Sequence, residues 1–164
     1  MATPDGTEPE IRPYRSPDDA AATYVVARTA IARTAATAYD PDQIAAWLGP
    51  ARLDLTGWDE RRHGASTLVA ELDGIVVGFA DLRSDGLVDM LFVDPRAGGR
   101  GVARALLTVI LHDAEARGIA ELRTYASRSA RPVFERLGFT VVADRPDNTV
   151  RGVVVPNTEM RRLP

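Results

Sequence analysis

Hydrophobic and polar positions follow a helical period in the first part of the chain. Residues 16–39 and 40–50 carry apolar side chains at helical spacing. Each run begins with a polar residue followed by proline, Ser16-Pro17 and Asp40-Pro41, which is typical of a helix N-terminus. Residues 10–15, EIRPYR, precede them as a short strand candidate. This part of the chain therefore predicts one strand followed by two helices.

The pattern changes to the alternation of β-strands after a segment that contains Trp58, which we expect to be a loop. Residues 66–82 form two β-rich runs around Asp73-Gly74, a strong hairpin signal. Residues 86–94, GLVDMLFVD, predict a third strand. The remaining segments predict a helix, a strand, a short helix and a closing pair of strands: 101–118, 120–126, 129–138, 139–145 and 151–163.

The predicted order is β-αα-βββ-α-β-α-ββ. It indicates an α/β fold with about seven strands and about four helices. Residues 1–9 are polar and acidic, and we expect a flexible N-terminal tail there. Residues 10–164 are expected to form one domain, because no internal repeat or linker interrupts them.

Composition excludes several classes of function. The net charge of −3 gives no electrostatic case for a nucleic-acid partner. No apolar run approaches a membrane span, and the N-terminus does not resemble a signal peptide, so we expect a cytoplasmic location and no membrane partner. The chain has no cysteine, which excludes a thiolate nucleophile and a zinc–thiolate site. It also has no lysine, which excludes a P-loop and a Schiff base.

The two histidines carry no metal signal. His63 and His112 lie far apart in the sequence and do not have the spacing of metal ligands. We therefore expect both at the surface, and no metal.

A cluster of glycines stands immediately before the helix predicted at 101–118. The stretch FVDPRAGGRGVARALL places glycine at 98, 99 and 101. A strand, a glycine loop and a helix N-terminus together suit an anion, because the first helical N–H groups are unpaired and no Cβ keeps a phosphate away. Arg96 and Arg100 add positive charge. The pattern predicts a site for a phosphate-bearing cofactor; the alternative is a surface turn before a core helix.

Two segments resemble signatures of the GNAT superfamily of acetyl-coenzyme A-dependent N-acetyltransferases. LFVDPRAGGRGVARALL is similar to the cofactor motif at Val93, Pro95, Gly99, Gly101, Val102 and Ala103. SRSARPVFERLGF is similar to the second signature at Ala130, Glu135, Gly138 and Phe139. The resemblance extends from about residue 10 to 162. It implies a central, mixed and mostly antiparallel sheet flanked by helices.

The resemblance also implies which residues contact acetyl-coenzyme A. They belong to the predicted strand, the glycine loop and the second signature: Leu91, Phe92, Val93, Arg96, Gly98, Gly99, Arg100, Gly101, Val102, Ala103, Ser127, Ala130 and Phe134. Three of them depart from the family pattern. Gly98 replaces the usual Gln or Arg, so Arg96 or Arg100 would substitute; Ser127 replaces Asn; Phe134 replaces a frequent tyrosine and is expected to pack on the pantetheine arm.

Candidate catalytic residues lie on the same two segments. Asp89 alternates with Leu91 and Val93, so we expect it to share their face and to act as general base; the alternative is a solvent-facing strand residue. Tyr125 and Ser127 lie two residues apart and are expected to share a face, from which either could protonate or hydrate the leaving sulfur.

Tyr39 and Trp47 lie on the predicted early helices, which line the acceptor groove in this family. The alternative for both residues is a place in the core.

The implied reaction is transfer of an acetyl group from acetyl-coenzyme A to an amine of a small molecule or peptide, by direct attack in a ternary complex. The alternative is a module that binds acetyl-coenzyme A without transferring the acetyl group and acts as a sensor or partner subunit. The slight acidic balance favours a cationic amine. A homodimer is left open.

Overall fold

The computed structural model of the protein describes residues 8–51 and 54–163. Most of the expected tail, residues 1–7, lies outside the described residues. Within the described ranges the strands are β1 Glu10–Pro13, β2 Ser66–Leu72, β3 Ile75–Leu82, β4 Val88–Val93, β5 Leu122–Ala126, β6 Thr140–Arg145, β7 Thr149–Val150, β8 Val153–Val154 and β9 Asn157–Arg162. The α-helices are α1 Ala20–Thr29, α2 Pro41–Leu48, α3 Leu55–Gly64, α4 Val102–Ala116 and α5 Arg131–Arg136.

The strands form a sheet in two halves. One half has the order β1-β2-β3-β4 and the other the order β5-β9-β6, and all neighbours within each half are antiparallel. A parallel bridge between Leu87 and Arg123 connects the halves. The expected mixed, mostly antiparallel sheet is thus confirmed. The two-residue strands β7 and β8, which form a separate ribbon, are additional to the expected seven.

The helices cover both faces of the sheet. α4 lies on one face, where Leu106, Leu107 and Ile110 are almost fully buried in the main core cluster. On the other face Trp58 and Phe79 pack edge to face, with ring centroids 5.9 Å apart, in a second cluster with α1. α4 and its preceding loop are therefore fixed against the end of β4. No helix in the described ranges is both long and apolar enough to span a bilayer.

Trp58 lies on a helix, so the expectation of a loop at this position is wrong. The Asp54 carboxylate accepts from the Gly57 N–H at 3.0 Å and caps α3. The apolar period is weak because a charged residue, Arg62, occupies a buried position, where its Nη2 lies 3.2 Å from Oδ2 of Asp81 on β3. Burial lowers the pKa of Arg62 and raises that of Asp81 to about 6. An ion pair thus replaces the apolar contact that a sequence pattern would have indicated.

The first predicted helix is also shorter than expected. α1 begins at Ala20, and the Ser16 hydroxyl donates to Oδ2 of Asp59 at 2.6 Å instead of capping the helix. After α1, residues 30–34 form a π-helix and residues 35–37 a turn of 3₁₀-helix. The prediction for α2 is confirmed, since Asp40 and Gln43 form a reciprocal capping box.

His63 and His112 are both exposed, as expected. The hairpin predicted at Asp73-Gly74 is also present, with φ values of 51° and 76° at those two residues.

Gly86 controls the approach of the two half-sheets. The Arg123 N–H donates to the Gly86 carbonyl at 3.0 Å, next to the bridge at Leu87. Gly86 has a φ of +85°, and a Cβ there would lie 2.3 Å from the Glu121 carbonyl oxygen. A side chain at this position would therefore push the half-sheets apart.

We predict that Gly86→Ala lowers the free energy of unfolding by at least about 2 kcal/mol, because backbone strain and the collision act together. Urea denaturation measures the loss. Gly64→Ala is the matched control, since a Cβ at the end of α3 meets no atom within 4 Å and the helix gains a better former. Equal stability of the two variants would contradict this role of Gly86.

Candidate active site

β4 and β5 are close at their first residues and then separate. The Thr124 hydroxyl donates to the Val88 carbonyl at 3.0 Å near the bridge. Further along, the described ladders pair β4 with β3 and β5 with β9. Because the Asp94 N–H donates to the Val77 carbonyl at 2.7 Å, the alternating pattern directs the backbone groups of Leu91 and Val93 away from β3. An open strand edge therefore lines the gap.

An apolar cleft of about 160 Å³ occupies this gap. One wall is β4, and the opposite wall is the turn from β5 into α5. The π-helical segment and α2 complete the lining, which includes Ile31 and Trp47. Single π-helical turns are frequent at functional sites, and this one faces the cleft. The lining residues are Ala30, Ile31, Thr34, Ala35, Trp47, Leu91, Phe92, Val93, Ala103, Ser127, Ser129, Ala130 and Val133.

The glycine loop forms a second cavity, of about 600 Å³, that shares Val93, Ala103 and Val133 with the cleft. Gly99 and Gly101 both have a φ of +76°, and a Cβ on either would meet no atom within 4 Å. The first turn of α4 begins at Val102, so the N–H groups at 102–104 precede the first i→i−4 bond, from the Ala105 N–H to the Gly101 carbonyl. Bare backbone and helical N–H groups thus face one open space, as an anion requires.

The arginines that line this cavity are not the ones expected from the sequence. Arg96 is tied to Asp94, with 2.7 Å between Nη2 and Oδ2, and this hydrogen-bonded pair holds the pKa of Asp94 below its usual range. Arg100 is exposed on the loop. Arg104 and Arg136 line the cavity instead. Arg104 occupies the first turn of α4, a position that the sequence alone could have indicated, whereas Arg136 arrives from α5 through the fold.

Asp89 does not lie on the face of Leu91 and Val93, so that expectation is wrong. The ladder pairs Leu91 with Ala80 and Val88 with Leu82, which leaves Asp89 and Met90 opposite one residue. This β-bulge shifts the alternation, and Val88 takes the place on the core face. Asp89 is exposed and lines a separate polar depression with Arg62 and Asp81.

Tyr125 and Ser127 stand on either side of the end of β5 at Ala126, and of the two only Ser127 lines the cleft, so the expectation that they share a face is wrong. Tyr125 is 43% exposed, and the Arg145 guanidinium lies 4.6 Å from its ring centroid. Ser127 lines the cleft, and its Oγ accepts from the Ala130 N–H at 3.2 Å. The structure therefore brings Ser127 and Ala130 to the cleft but leaves Tyr125 on the outer face.

Sequence and fold comparisons agree with this geometry. Residues 35–161 match the family described as Acetyltransferase (GNAT) domain. The chain belongs to the GNAT acetyltransferase family. An uncharacterized N-acetyltransferase, YafP of Escherichia coli K12, is 36% identical over 155 residues, 94% of this chain and 96% of that protein.

Solved GNAT structures share the fold. A GCN5-related N-acetyltransferase from Rhodopseudomonas palustris has a TM-score of 0.89 and 32% identity, with 99% of each chain covered. YncA, a putative acetyltransferase of Salmonella typhimurium solved with acetyl-CoA, has a TM-score of 0.69 and 25% identity, with 96% of this chain and 94% of that chain covered. The two halves of the sheet thus form a GNAT fold.

Phe134 is a core residue of this GNAT domain, and the expectation that it lines the cofactor arm is wrong. It is 2% exposed, and its ring packs edge to face on Phe139 at 5.0 Å. On the short helix α5 the neighbouring Val133 faces the cleft instead. The sequence could not distinguish these two adjacent apolar residues, because α5 has only six residues.

Tyr39 and Trp47 have different roles. Tyr39 is buried; its hydroxyl donates to the Pro156 carbonyl at 2.7 Å and accepts from the Arg128 N–H at 3.0 Å. Trp47 lines the cleft and packs edge to face against Tyr39 at 5.7 Å. Tyr39 therefore holds the loop after β5 near the β8–β9 turn and supports Trp47 from behind.

Gly101→Ala should weaken the binding of coenzyme A at least about tenfold in calorimetry, because its Cβ would enter the space next to the helical N–H groups. Gly74→Ala is the control. Gly74 has the same φ of +76° and equally open surroundings at the tip of the hairpin, so it carries the same backbone strain outside the glycine loop. Equal affinities of the two variants would exclude the glycine loop as the anion site.

Proposed function

We propose that the protein is an N-acetyltransferase that moves an acetyl group from acetyl-coenzyme A to an amine of a small molecule or peptide. The observation that carries this proposal is the continuity of two cavities, the glycine loop and the apolar cleft, along the open edge of β4. The open lining of the cleft by Ile31 and Trp47 favours transfer over a module that only binds the cofactor.

The residues present fit acetyl-coenzyme A. The N–H groups at the start of α4, with Arg104 and Arg136, would hold its diphosphate, while Gly99 and Gly101 leave the necessary space. The narrow apolar gap suits the pantetheine arm. YncA, with the same fold, was solved with acetyl-CoA, which supports this assignment. The cofactor supplies an acetyl group activated as a thioester.

The open edge of β4 would orient that thioester. The N–H groups of Leu91 and Val93 point into the gap, where one of them would donate to the carbonyl oxygen as negative charge develops on it. Removing one such donor typically costs about 2.7–4 kcal/mol of transition-state stabilisation. The apolar walls lower the local dielectric constant and so strengthen this interaction.

Water is the proton acceptor in this proposal. Among the described residues that line the cleft there is no carboxylate and no histidine. An alkylammonium acceptor with a pKa of about 10.4 would lose its proton to water before attack, so the neutral amine is the reacting form. The expectations of a single domain at 10–164, a cytoplasmic location and the partner classes stay predictions.

We expect thiol release from acetyl-coenzyme A when the protein is incubated with a panel of amines, peptides and aminoglycosides. The rate with the best amine should rise with pH until the amine is neutral. Cofactor binding without thiol release, for every acceptor class in the panel, would instead support the binding module.

Asp89→Asn should keep turnover within about threefold of the unmodified protein between pH 6 and 9, because the bulge directs this carboxylate away from the cleft. Removal of a general base typically costs about 10²–10⁴ in rate. A loss of that size at pH 7, shrinking at higher pH, would restore Asp89 as the base.

A further inference from the structure

The wall of the cleft contains a hydroxyl group without a partner. Ser129 lines the cleft from the turn between β5 and α5, and its Oγ is shielded from solvent. Within the described part of the chain this oxygen makes no hydrogen bond. A buried hydroxyl left unpaired is destabilising, so its presence requires an explanation. A ligand that occupies the cleft during the reaction supplies one.

The other hydroxyls of the cleft are less suited to a ligand. The Ser127 oxygen already accepts from the Ala130 N–H at 3.2 Å and shapes the turn before α5. Thr34 is exposed at the rim of the cleft. Ser129 alone among the described hydroxyls of this lining is both shielded and unpaired.

The position of Ser129 indicates which part of the ligand it meets. The N–H groups that would donate to the thioester carbonyl oxygen belong to β4, on the opposite wall. In a planar thioester the carbonyl oxygen and the sulfur leave the carbonyl carbon in different directions, so an oxygen held by β4 leaves the sulfur free to face the turn at 127–130. Rotation about χ1, which has three staggered positions, would aim the hydroxyl at that sulfur.

We propose that the Ser129 hydroxyl donates a hydrogen bond to the sulfur of coenzyme A as the carbon–sulfur bond breaks. This inference rests on the proposed function. The amine nitrogen bonds to the acetyl carbon, and the electron pair of the broken bond remains on sulfur. The amine gives one proton to water and the sulfur takes one from water, so the products are an amide and a thiol.

Ser129 keeps its own proton throughout. An alkyl hydroxyl is a much weaker acid than a thiol, whose ordinary pKa is about 8.5. Its contribution is therefore to stabilise the negative charge on sulfur, in a cleft where little water competes. The same hydrogen bond should favour the thiolate of bound coenzyme A over its thiol, even when no acetyl group is present.

The ionisation of bound coenzyme A tests this assignment without turnover. The thiolate absorbs in the ultraviolet, so a pH titration of the complex gives the pKa of the bound thiol. In Ser129→Ala we expect this pKa to be about one unit or more above that in the unmodified protein, which is a tenfold change in the ionisation constant. Ser129→Thr keeps a hydroxyl and should retain the lower value. Ser84→Ala, at an exposed serine before β4, is the control.

Calorimetry with an analogue of coenzyme A that lacks the sulfur locates the contact. Ser129→Ala should bind this analogue as tightly as the unmodified protein does, while its rate of acetyl transfer falls about tenfold. If Ser129→Ala weakened the binding of coenzyme A and of the analogue equally, the hydroxyl would contact another part of the pantetheine arm. That result would overturn the inference. An unchanged thiol pKa would overturn it while the proposed function stands. Failure of the unmodified protein to bind coenzyme A would overturn both.

Discussion

β4 and β5 are held together at residues 87 and 123 and then separate, and the features of the site depend on that separation. Backbone contact at Gly86 closes the two half-sheets at one end. Beyond it, the described ladders pair no strand with β4 on the side to which the N–H and carbonyl groups of Leu91 and Val93 point, and unpaired backbone groups would be costly in a closed core. The gap is therefore best stabilised by a ligand that carries its own polar groups between apolar walls.

The glycine loop extends this site because α4 begins where β4 ends. The N–H groups at its first turn would attract an anion, and Arg104 and Arg136 bring positive charge to the same cavity from two different helices. Arg96 has a structural role instead. Its ion pair with Asp94 keeps that carboxyl ionised and fixes the turn that leads into the loop. In this account, the arginines that would bind the diphosphate and the arginine that fixes the loop are thus different residues.

Local signals predicted much of the fold. The capping box at Asp40 and the turn at Asp73-Gly74 depend little on tertiary contacts, because they satisfy backbone groups within a few residues in the sequence. The predictions were wrong where contacts between residues distant in the sequence determine the local structure. The bulge in β4 is a property of its pairing with β3, so alternation placed Asp89 on the wrong face. Because Arg62 is buried by its ion pair with Asp81, α3 lacks the apolar period by which a helix is predicted from sequence. Only the packed fold shows that, among the described residues, the Ser129 hydroxyl has no hydrogen-bond partner in the cleft wall.

A crystal structure of the protein with coenzyme A tests the central claim most directly. We predict that the pantetheine arm lies between β4 and β5 and that the diphosphate oxygens accept hydrogen bonds from the N–H groups at the start of α4. A diphosphate bound elsewhere would contradict this account. The clearest such result would be binding in the depression beside Asp89, which Arg61, Arg83 and Arg117 surround, with the gap between the strands closed.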